Sequence, residues 1–154
     1  MSMAVGDHDA VRELVQRTAM LLDAEDFDAW TKLFDDSGIY ELTAYSNEIR
    51  RWMIWQSSDR AALGKMLKEV GEHVRDSARR RHIVGLPLVE IEGDQGRVLS
   101  NFSLFRTLPD GHSSLYMIGQ YDDRIVRRSG AWLYTTHRVI ADTRILDAFT
   151  HIPI

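Results

Sequence analysis

Cysteine is absent from this sequence of 154 residues, and its absence excludes several kinds of chemistry. The chain can form no disulfide, present no thiolate nucleophile and supply no sulfur ligand to an iron–sulfur cluster. A protein without cysteine is typical of the reducing cytoplasm, which is the location we expect. A redox centre that needs thiolate ligands would have to reside in another chain.

Long apolar runs are missing as well, and so is a positive net charge. No segment approaches the roughly 18 apolar residues of a membrane helix, and the first residues do not resemble a signal peptide. The net charge of −4 has the wrong sign for a protein whose main partner is a polyanion. We therefore expect neither a membrane nor a nucleic-acid partner.

What the sequence does contain fits one globular domain over residues 1–154, with 44% apolar and 27% charged residues. In its first half, apolar residues recur at helical spacing in three segments, and two short β-rich segments lie between the second and third. Asp7 or Asp9 could cap the first helix, Asp26 the second, and Ser57, Ser58 or Asp59 the third. Gly38 should separate the second helix from the strand that follows it. The predicted elements are helices over 8–23, 26–34 and from about 57–59 to 76, and strands over 39–46 and 50–56.

The second half is rich in β-branched and aromatic residues, and the turn sequences GDQG, PDGH and RSG divide it. This pattern predicts four long antiparallel strands, over 82–92, 96–107, 114–127 and 131–146. Helices followed by strands indicate an α+β fold in which about three helices cover one face of a curved, mostly antiparallel sheet. That order is similar to the cone-shaped fold of nuclear transport factor 2 and its SnoaL-like relatives.

Candidates for catalysis are few. The six histidines show no spacing typical of metal ligands, and motifs for a serine nucleophile or for phosphate binding are absent from the sequence. An imidazole and a carboxylate together could transfer a proton near neutral pH, so one hypothesis is a stand-alone acid–base enzyme that uses Tyr40, His82, Asp122 and His137. One alternative is that these residues are core residues with satisfied hydrogen bonds. Another is that the hollow of the cone binds a small aromatic ligand without catalysing a reaction.

Three consecutive arginines precede His82 in the segment ARRRHIVGLP. Because side chains alternate along a strand, Arg79 and Arg81 should share one face, and Arg80 and His82 the other. Arginine is favoured at protein interfaces, where its planar fork binds carboxylates, so this segment is a candidate docking surface. The competing interpretation is a solvated, charged strand end.

The last ten residues are unusually apolar for the end of a sequence. Such a segment must pack back on its own sheet or be covered by a neighbouring chain. Its apolar residues are Ile145, Leu146, Phe149, Ile152, Pro153 and Ile154.

Taken together, these segments resemble the small (β) subunit of aromatic-ring-hydroxylating dioxygenases. The resemblance rests on RRRHIVGLP at 79–87, LYMIGQYDDRIV at 115–126 with its Gly119 and Tyr121 pair, and HRVIADTRILDAFTHIPI at 137–154. It also rests on the D-x-W-x-x-L-F pattern of Asp28, Trp30, Leu33 and Phe34.

The resemblance implies a structural, non-catalytic subunit of an oxidoreductase that acts in aromatic catabolism. The Rieske [2Fe–2S] cluster and the mononuclear Fe(II) would belong to the large (α) subunit. The small subunit would assemble as a trimer or in a hexamer of three large and three small chains. The sequences of the motifs favour an aromatic carboxylate such as terephthalate, salicylate, anthranilate or benzoate as substrate. The residues we expect at subunit interfaces are Arg79, Arg80, Arg81, His82, Trp132, His137, Arg138, Asp142 and Arg144.

Overall fold

The fold was analysed in a computed structural model, which describes residues 6–70, 76–146 and 152–154. Within these residues, three helices and seven strands follow one another along the chain. The helices are α1 (Asp7–Asp23), α2 (Phe27–Thr31) and α3 (Arg60–Val70). The strands are β1 (Phe34–Ser46), β2 (Arg51–Asp59), β3 (Arg79–Val84), β4 (Leu88–Glu92), β5 (Gln95–Thr107), β6 (Ser113–Arg128) and β7 (Ala131–Ala141).

All seven strands form one curved, open sheet in the order β2-β1-β7-β6-β5-β3, with β4 paired to the other end of β5. Every pairing is antiparallel except that of β1 with β7. Helix α1 packs against β3, β4 and β7, and α3 packs against β1 and β2. The predicted α+β class, with three helices and a mostly antiparallel sheet, is confirmed. Across the described residues, none of the helices has the length and apolar character needed to cross a membrane.

The second helix and the first strand have boundaries different from those predicted. Helix α2 ends at Thr31, and Phe34, which was assigned to the helix, begins β1 opposite Tyr134. At Phe34, pairing with β7 therefore determines the backbone conformation, although the apolar residues before it are spaced as in a helix. Gly38 was expected to separate helix from strand but lies inside β1, where an added Cβ would be only 2.8 Å from the carbonyl oxygen of Tyr134.

Two of the predicted helix caps are present, and one is not. The N–H of Ala29 donates to the Asp26 carboxylate at the start of α2, and Asp59 caps α3 in the same way. Helix α1 instead begins after Gly6, which provides no side-chain cap. The part of the third helix predicted beyond Val70 lies outside the described residues as far as residue 75.

The predicted strand 82–92 is divided into β3 and β4 by residues 85–87. Both strands pair with β5, β3 with its second half and β4 with its first. The predicted order of neighbouring strands is thus retained, but the predicted edge strand consists of two shorter strands. The interior of the cone is filled mainly by apolar and aromatic side chains, among which Trp30, Phe34, Tyr134, Leu104 and Met117 are completely buried.

Candidate functional site

The arginine segment forms β3, and its side chains alternate as predicted. Arg80 and His82 are buried inside the cone, whereas Arg79 and Arg81 are exposed on the outer face of the sheet. The Arg81 side chain is 64% exposed, and one of its terminal nitrogens lies 4.0 Å from a carboxylate oxygen of Asp23. The strand therefore contributes both to the interior and to the outer surface.

Apolar side chains continue this outer surface across three strands. Strand register places Arg81, Phe105 and Leu115 in one row, and Ile83 and Ile118 at the ends of the next. The four apolar residues are 37–55% exposed, which is unusual for large side chains that adjoin one another. We call this surface the outer patch: Arg81, Ile83, Phe105, Leu115 and Ile118.

Inside the cone, His82 is paired with a carboxylate at the end of α1. Its Nδ1 lies 2.6 Å from Oδ1 of Asp23, and its backbone N–H also donates to the same carboxylate. Both side chains are almost completely buried. Because two hydrogen bonds join helix to strand here, the pair fixes how α1 lies on β3.

A second imidazole–carboxylate pair lies deeper in the interior. Nδ1 of His137 lies 2.7 Å from Oδ1 of Asp123, and both side chains are buried. Burial raises the pKa of the Asp123 carboxyl group, and the neighbouring His137 opposes that rise. Four rings surround the imidazole with centroids 4.9–6.2 Å from its own: those of Phe34, Tyr40, Tyr121 and Tyr134.

Tyr40 joins this interior to residues 152–154. Its hydroxyl oxygen accepts a hydrogen bond of 3.0 Å from the backbone N–H of Ile154, and both residues are completely buried. Burial also raises the pKa of the Tyr40 hydroxyl group above its ordinary value. The expectation that the apolar segment packs back on its own chain is therefore met at Ile154. Ile145, by contrast, is exposed, and Phe149 lies outside the described residues.

The acid–base set proposed from sequence is only partly brought together. Tyr40 and His137 are neighbours and His82 is in the same interior, but Asp122 points to the outer face, where Arg97 holds it by two hydrogen bonds. Those hydrogen bonds lower the pKa of the Asp122 carboxyl group. The choice of Asp122 was wrong because adjacent residues of β6 face opposite sides. Among the described residues, Asp123 and Asp23 are the carboxylates paired with the interior histidines, and neither was predicted from the sequence.

The other residues expected at interfaces fall into two groups. Trp132 and His137 are enclosed by this chain; Nε1 of Trp132 donates to Asp7 at the start of α1. Arg138 and Arg144 lie at the surface and form ion pairs with Glu41 and Glu48. Asp142 is also exposed. Side chains buried in this way cannot contact a partner directly, whereas the exposed Arg138, Asp142 and Arg144 remain candidates for such a contact.

The interior could hold or transfer a proton, since each imidazole has one nitrogen bound to a carboxylate. Among the residues that the structure describes, Nε2 of His82, Nε2 of His137, Oδ2 of Asp123 and Nε1 of Trp30 are buried without a hydrogen-bond partner. Within residues 6–70, 76–146 and 152–154, no three histidine, aspartate or glutamate side chains come together as metal ligands.

Comparison with known proteins places this geometry in a family. Residues 3–138 match the SnoaL-like domain. The chain is 30% identical to the β subunit of 2-aminobenzenesulfonate 2,3-dioxygenase from an Alcaligenes species, over 96% of this chain and 99% of the relative. It is 29% identical to the hydroxylase β subunit of methanesulfonate monooxygenase from Methylosulfonomonas methylovora, over 95% and 86% of the two chains.

A solved structure agrees in fold. The β subunit of a candidate aromatic-ring-hydroxylating dioxygenase from Novosphingobium aromaticivorans superposes with a TM-score of 0.79 at 23% identity, over 88% of this chain and 89% of that one. At this identity the likeness establishes the cone-shaped fold, and the sequence relatives establish the family. The chain therefore belongs to the SnoaL-like domain family and, within it, to the small (β) subunits of ring-hydroxylating dioxygenases.

Proposed function

We propose that this chain is a structural, non-catalytic subunit that binds the large subunit of a Rieske-type oxygenase through the outer patch. The observation that carries the proposal is the patch itself, in which an exposed arginine and four exposed apolar side chains lie in two neighbouring rows across three adjacent strands. Interfaces are enriched in arginine and aromatic residues, and a contiguous exposed apolar surface is typical of a binding site.

The interior supports a structural role rather than catalysis. Both imidazoles are enclosed, and the rings of Phe102 and Tyr121 stack at 4.3 Å between their centroids. Leu104 and Met117, which face inward from β5 and β6, have no exposed surface. A core filled in this way stabilises the shape of the sheet, and the shape of the sheet positions the outer patch.

The redox cofactors are proposed to lie in the large subunit. The sequence contains no cysteine, so this chain cannot provide the two thiolates of a Rieske cluster. The mononuclear Fe(II) is assigned to the same partner, and the assembly is proposed to be a trimer of small subunits or a hexamer with three subunits of each kind. The proposed cellular location is the cytoplasm.

The substrate would be bound by the large subunit, and we propose an organic anion. The resemblance of the motifs favours an aromatic carboxylate. The names of the two relatives specify sulfonates, which share the negative charge but not the carboxyl group. Competition between aromatic carboxylates and sulfonates for the assembled enzyme would decide between them.

Co-expression tests the proposal directly. The chain, with a purification tag, would be produced together with a candidate Rieske-type large subunit. We expect one complex that contains both chains, shows the visible absorption of the cluster and hydroxylates its substrate when supplied with dioxygen and a reductant. The isolated small chain should show no turnover. Conversion of an aromatic compound by the isolated, iron-free chain would overturn the proposal.

A further inference from the structure

Strand β2 forms an apolar edge of the sheet. It pairs only with β1, so its other side has no strand partner among the described residues. Trp52 and Ile54 are 59% and 66% exposed, and neither a proline nor a charged residue lies between Arg51 and Asp59. An apolar edge of this kind is a template for pairing with another strand, and natural proteins usually protect such edges.

Strand β4 provides a second open edge, at the opposite end of the sheet. Within the described ranges it pairs only with β5. Leu88 is 61% exposed, and Glu90 and Glu92 are exposed on the same face of the strand. The neighbouring edge of β3 is different, because the backbone N–H of His82 there donates to the carboxylate of Asp23. At this end of the sheet, β4 is therefore the edge that can accept another strand.

The two open edges carry opposite charges. Arg50 and Arg51 lie at the start of β2, are exposed and form no ion pair within the part of the chain that the structure describes. Strand β4 carries the exposed Glu90 and Glu92 instead. Opposite charges across two strands stabilise their pairing, whereas like charges oppose it. The charges therefore favour pairing of β2 with β4 over pairing of either strand with its own copy.

We propose that β2 of one small subunit pairs with β4 of a second copy of this chain. The pairing would be antiparallel, with Ile54 opposite Leu88 and Arg50 opposite Glu92. A contact between two different surfaces, repeated with a suitable rotation, closes into a ring. The inference rests on the proposed function, because it names the surfaces through which the proposed trimer of small subunits would form.

The register is chosen so that the two sheets join with their faces aligned. Thr43 lies between two buried residues of β1 whose side chains face the interior, so Thr43 and its partner Ile54 face outward. Val89 is buried, so its neighbour Leu88 also faces outward. The pairing would thus bring two largely exposed apolar side chains together on the outer face and remove both from water.

Charge reversal tests the contact in the isolated, full-length chain. Arg50→Glu alone and Glu92→Arg alone should each weaken self-association by at least about tenfold, because like charges then face each other. The combined variant should recover most of the lost affinity. Lys65→Glu, at an exposed position of α3, changes the net charge as Arg50→Glu does and should have no effect. Sedimentation equilibrium at several concentrations measures the affinity, and circular dichroism establishes that each variant folds.

Disulfide cross-linking tests the register. The sequence contains no cysteine, so introduced cysteines report the contact without background. Ile54→Cys and Leu88→Cys, mixed as separate variants and oxidised with diamide, should give a linked pair of chains, because opposite residues of antiparallel strands lie at disulfide spacing. Both substitutions in one chain should give three linked chains on a non-reducing gel. Ile145→Cys mixed with Leu88→Cys is the control, because Ile145 is 88% exposed.

Any of three results would overturn the proposal. The first is an unchanged chain that stays monomeric at every concentration. The second is a response to the single charge reversals no larger than that to Lys65→Glu, or no recovery in the combined variant. The third is cross-linking of Ile54→Cys with Leu88→Cys that does not exceed the control.

Failure of this contact is distinguishable from failure of the proposed function. Without the contact, each small chain would still bind a large subunit through the outer patch. The number of chains in the complex would fall, but the fraction of small chain bound to large subunits would not. A monomeric small chain that still binds the large subunit would therefore overturn this inference alone.

Discussion

Nδ1 of His137 and Oδ1 of Asp123 lie 2.7 Å apart in the interior of the cone, on the adjacent strands β7 and β6. Neither side chain has appreciable contact with solvent. A polar pair in such a place is stable only while each member has the other, because an isolated buried charge is very unfavourable.

We expect His137→Ala to lower the free energy of unfolding by about 3–5 kcal/mol, because it leaves the Asp123 carboxylate buried without its imidazole partner. Urea unfolding followed by circular dichroism measures this. His112→Ala, at an exposed loop position, is the control and should change stability by less than about 0.5 kcal/mol. Replacing both members of the pair by leucine should recover much of the loss, since no charge then remains buried. A loss at His137→Ala no larger than that of the control would contradict this account.

Gly119 provides a second test, of strand packing. A Cβ added there would lie 2.2 Å from the carbonyl oxygen of Ile140 on β7, which is far inside van der Waals contact. Gly119→Ala should therefore force β6 and β7 apart and lower the free energy of unfolding by about 1–3 kcal/mol.

Gly64 is the matched control for that substitution. It lies within α3, and an added Cβ meets no atom within 4 Å. Gly64→Ala should raise stability by about 0.5–1 kcal/mol, because alanine favours helix more than glycine does. Thermal unfolding of both variants measures the two effects, and an equal response to the two substitutions would refute the packing argument.

Features set by local sequence could be predicted, and those set by strand pairing could not. The alternation of Arg79 and Arg81 with Arg80 and His82 follows from the two-residue period of a strand. The caps at Asp26 and Asp59 follow from residue type and position at the start of a helix. The four β-rich segments of the second half were likewise recognisable from their composition and turns.

Asp122 and Asp123 illustrate a feature that local sequence does not predict, namely which side of the sheet a strand residue faces. The two carboxylates are adjacent in sequence and identical in type, and only the register of β6 decides which one faces inward. Asp23 was missed because its partner, His82, is 59 residues away in the chain. Phe34 was assigned to a helix because its parallel pairing with β7 depends on residues about 100 positions later.

Asp76 and Arg106 predict a specific dependence of stability on pH. Nε and one terminal nitrogen of Arg106 donate to the two Asp76 oxygens at 2.6 and 2.5 Å, and this lowers the carboxyl pKa from 3.8. A carboxyl group with a lowered pKa in the folded state stabilises the protein above its ordinary pKa, and the contribution disappears as the pH falls through the folded value. Both side chains are about four-fifths buried, so the effect should be measurable.

Asp76→Asn should therefore lower the free energy of unfolding by about 1–3 kcal/mol near pH 7. The difference from the unchanged chain should shrink as the pH is brought below about 4, where the unfolded carboxyl group becomes protonated. Urea titrations at several pH values measure this, with Glu92→Gln, at the exposed end of β4, as the control. A difference that stays the same across the pH range would contradict a contribution that depends on the charge of Asp76.

The outer patch is tested by substitutions that change binding but not folding. Ile83→Ser removes an exposed apolar side chain of the patch, and Arg81→Ala removes its charge. Ile54→Ser, on edge strand β2 at the opposite end of the sheet, is the matched control because Ile54 is 66% exposed. None of the three should change the free energy of unfolding of the isolated chain by more than about 0.5 kcal/mol, since all three side chains are largely exposed.

Association with the large subunit should respond very differently to these three changes. Loss of an interfacial charge pair costs about 2–5 kcal/mol, so we expect Arg81→Ala to weaken the complex by roughly thirtyfold or more. Ile83→Ser should weaken it to a smaller degree, and Ile54→Ser should leave it unchanged. Sizing of the co-expressed complexes by light scattering gives the incorporated fraction at several concentrations. The outer patch would not be the docking surface if Arg81→Ala were fully incorporated into the complex, or if Ile54→Ser weakened the complex equally. The proposal requires that only substitutions at the β3 end of the sheet weaken binding.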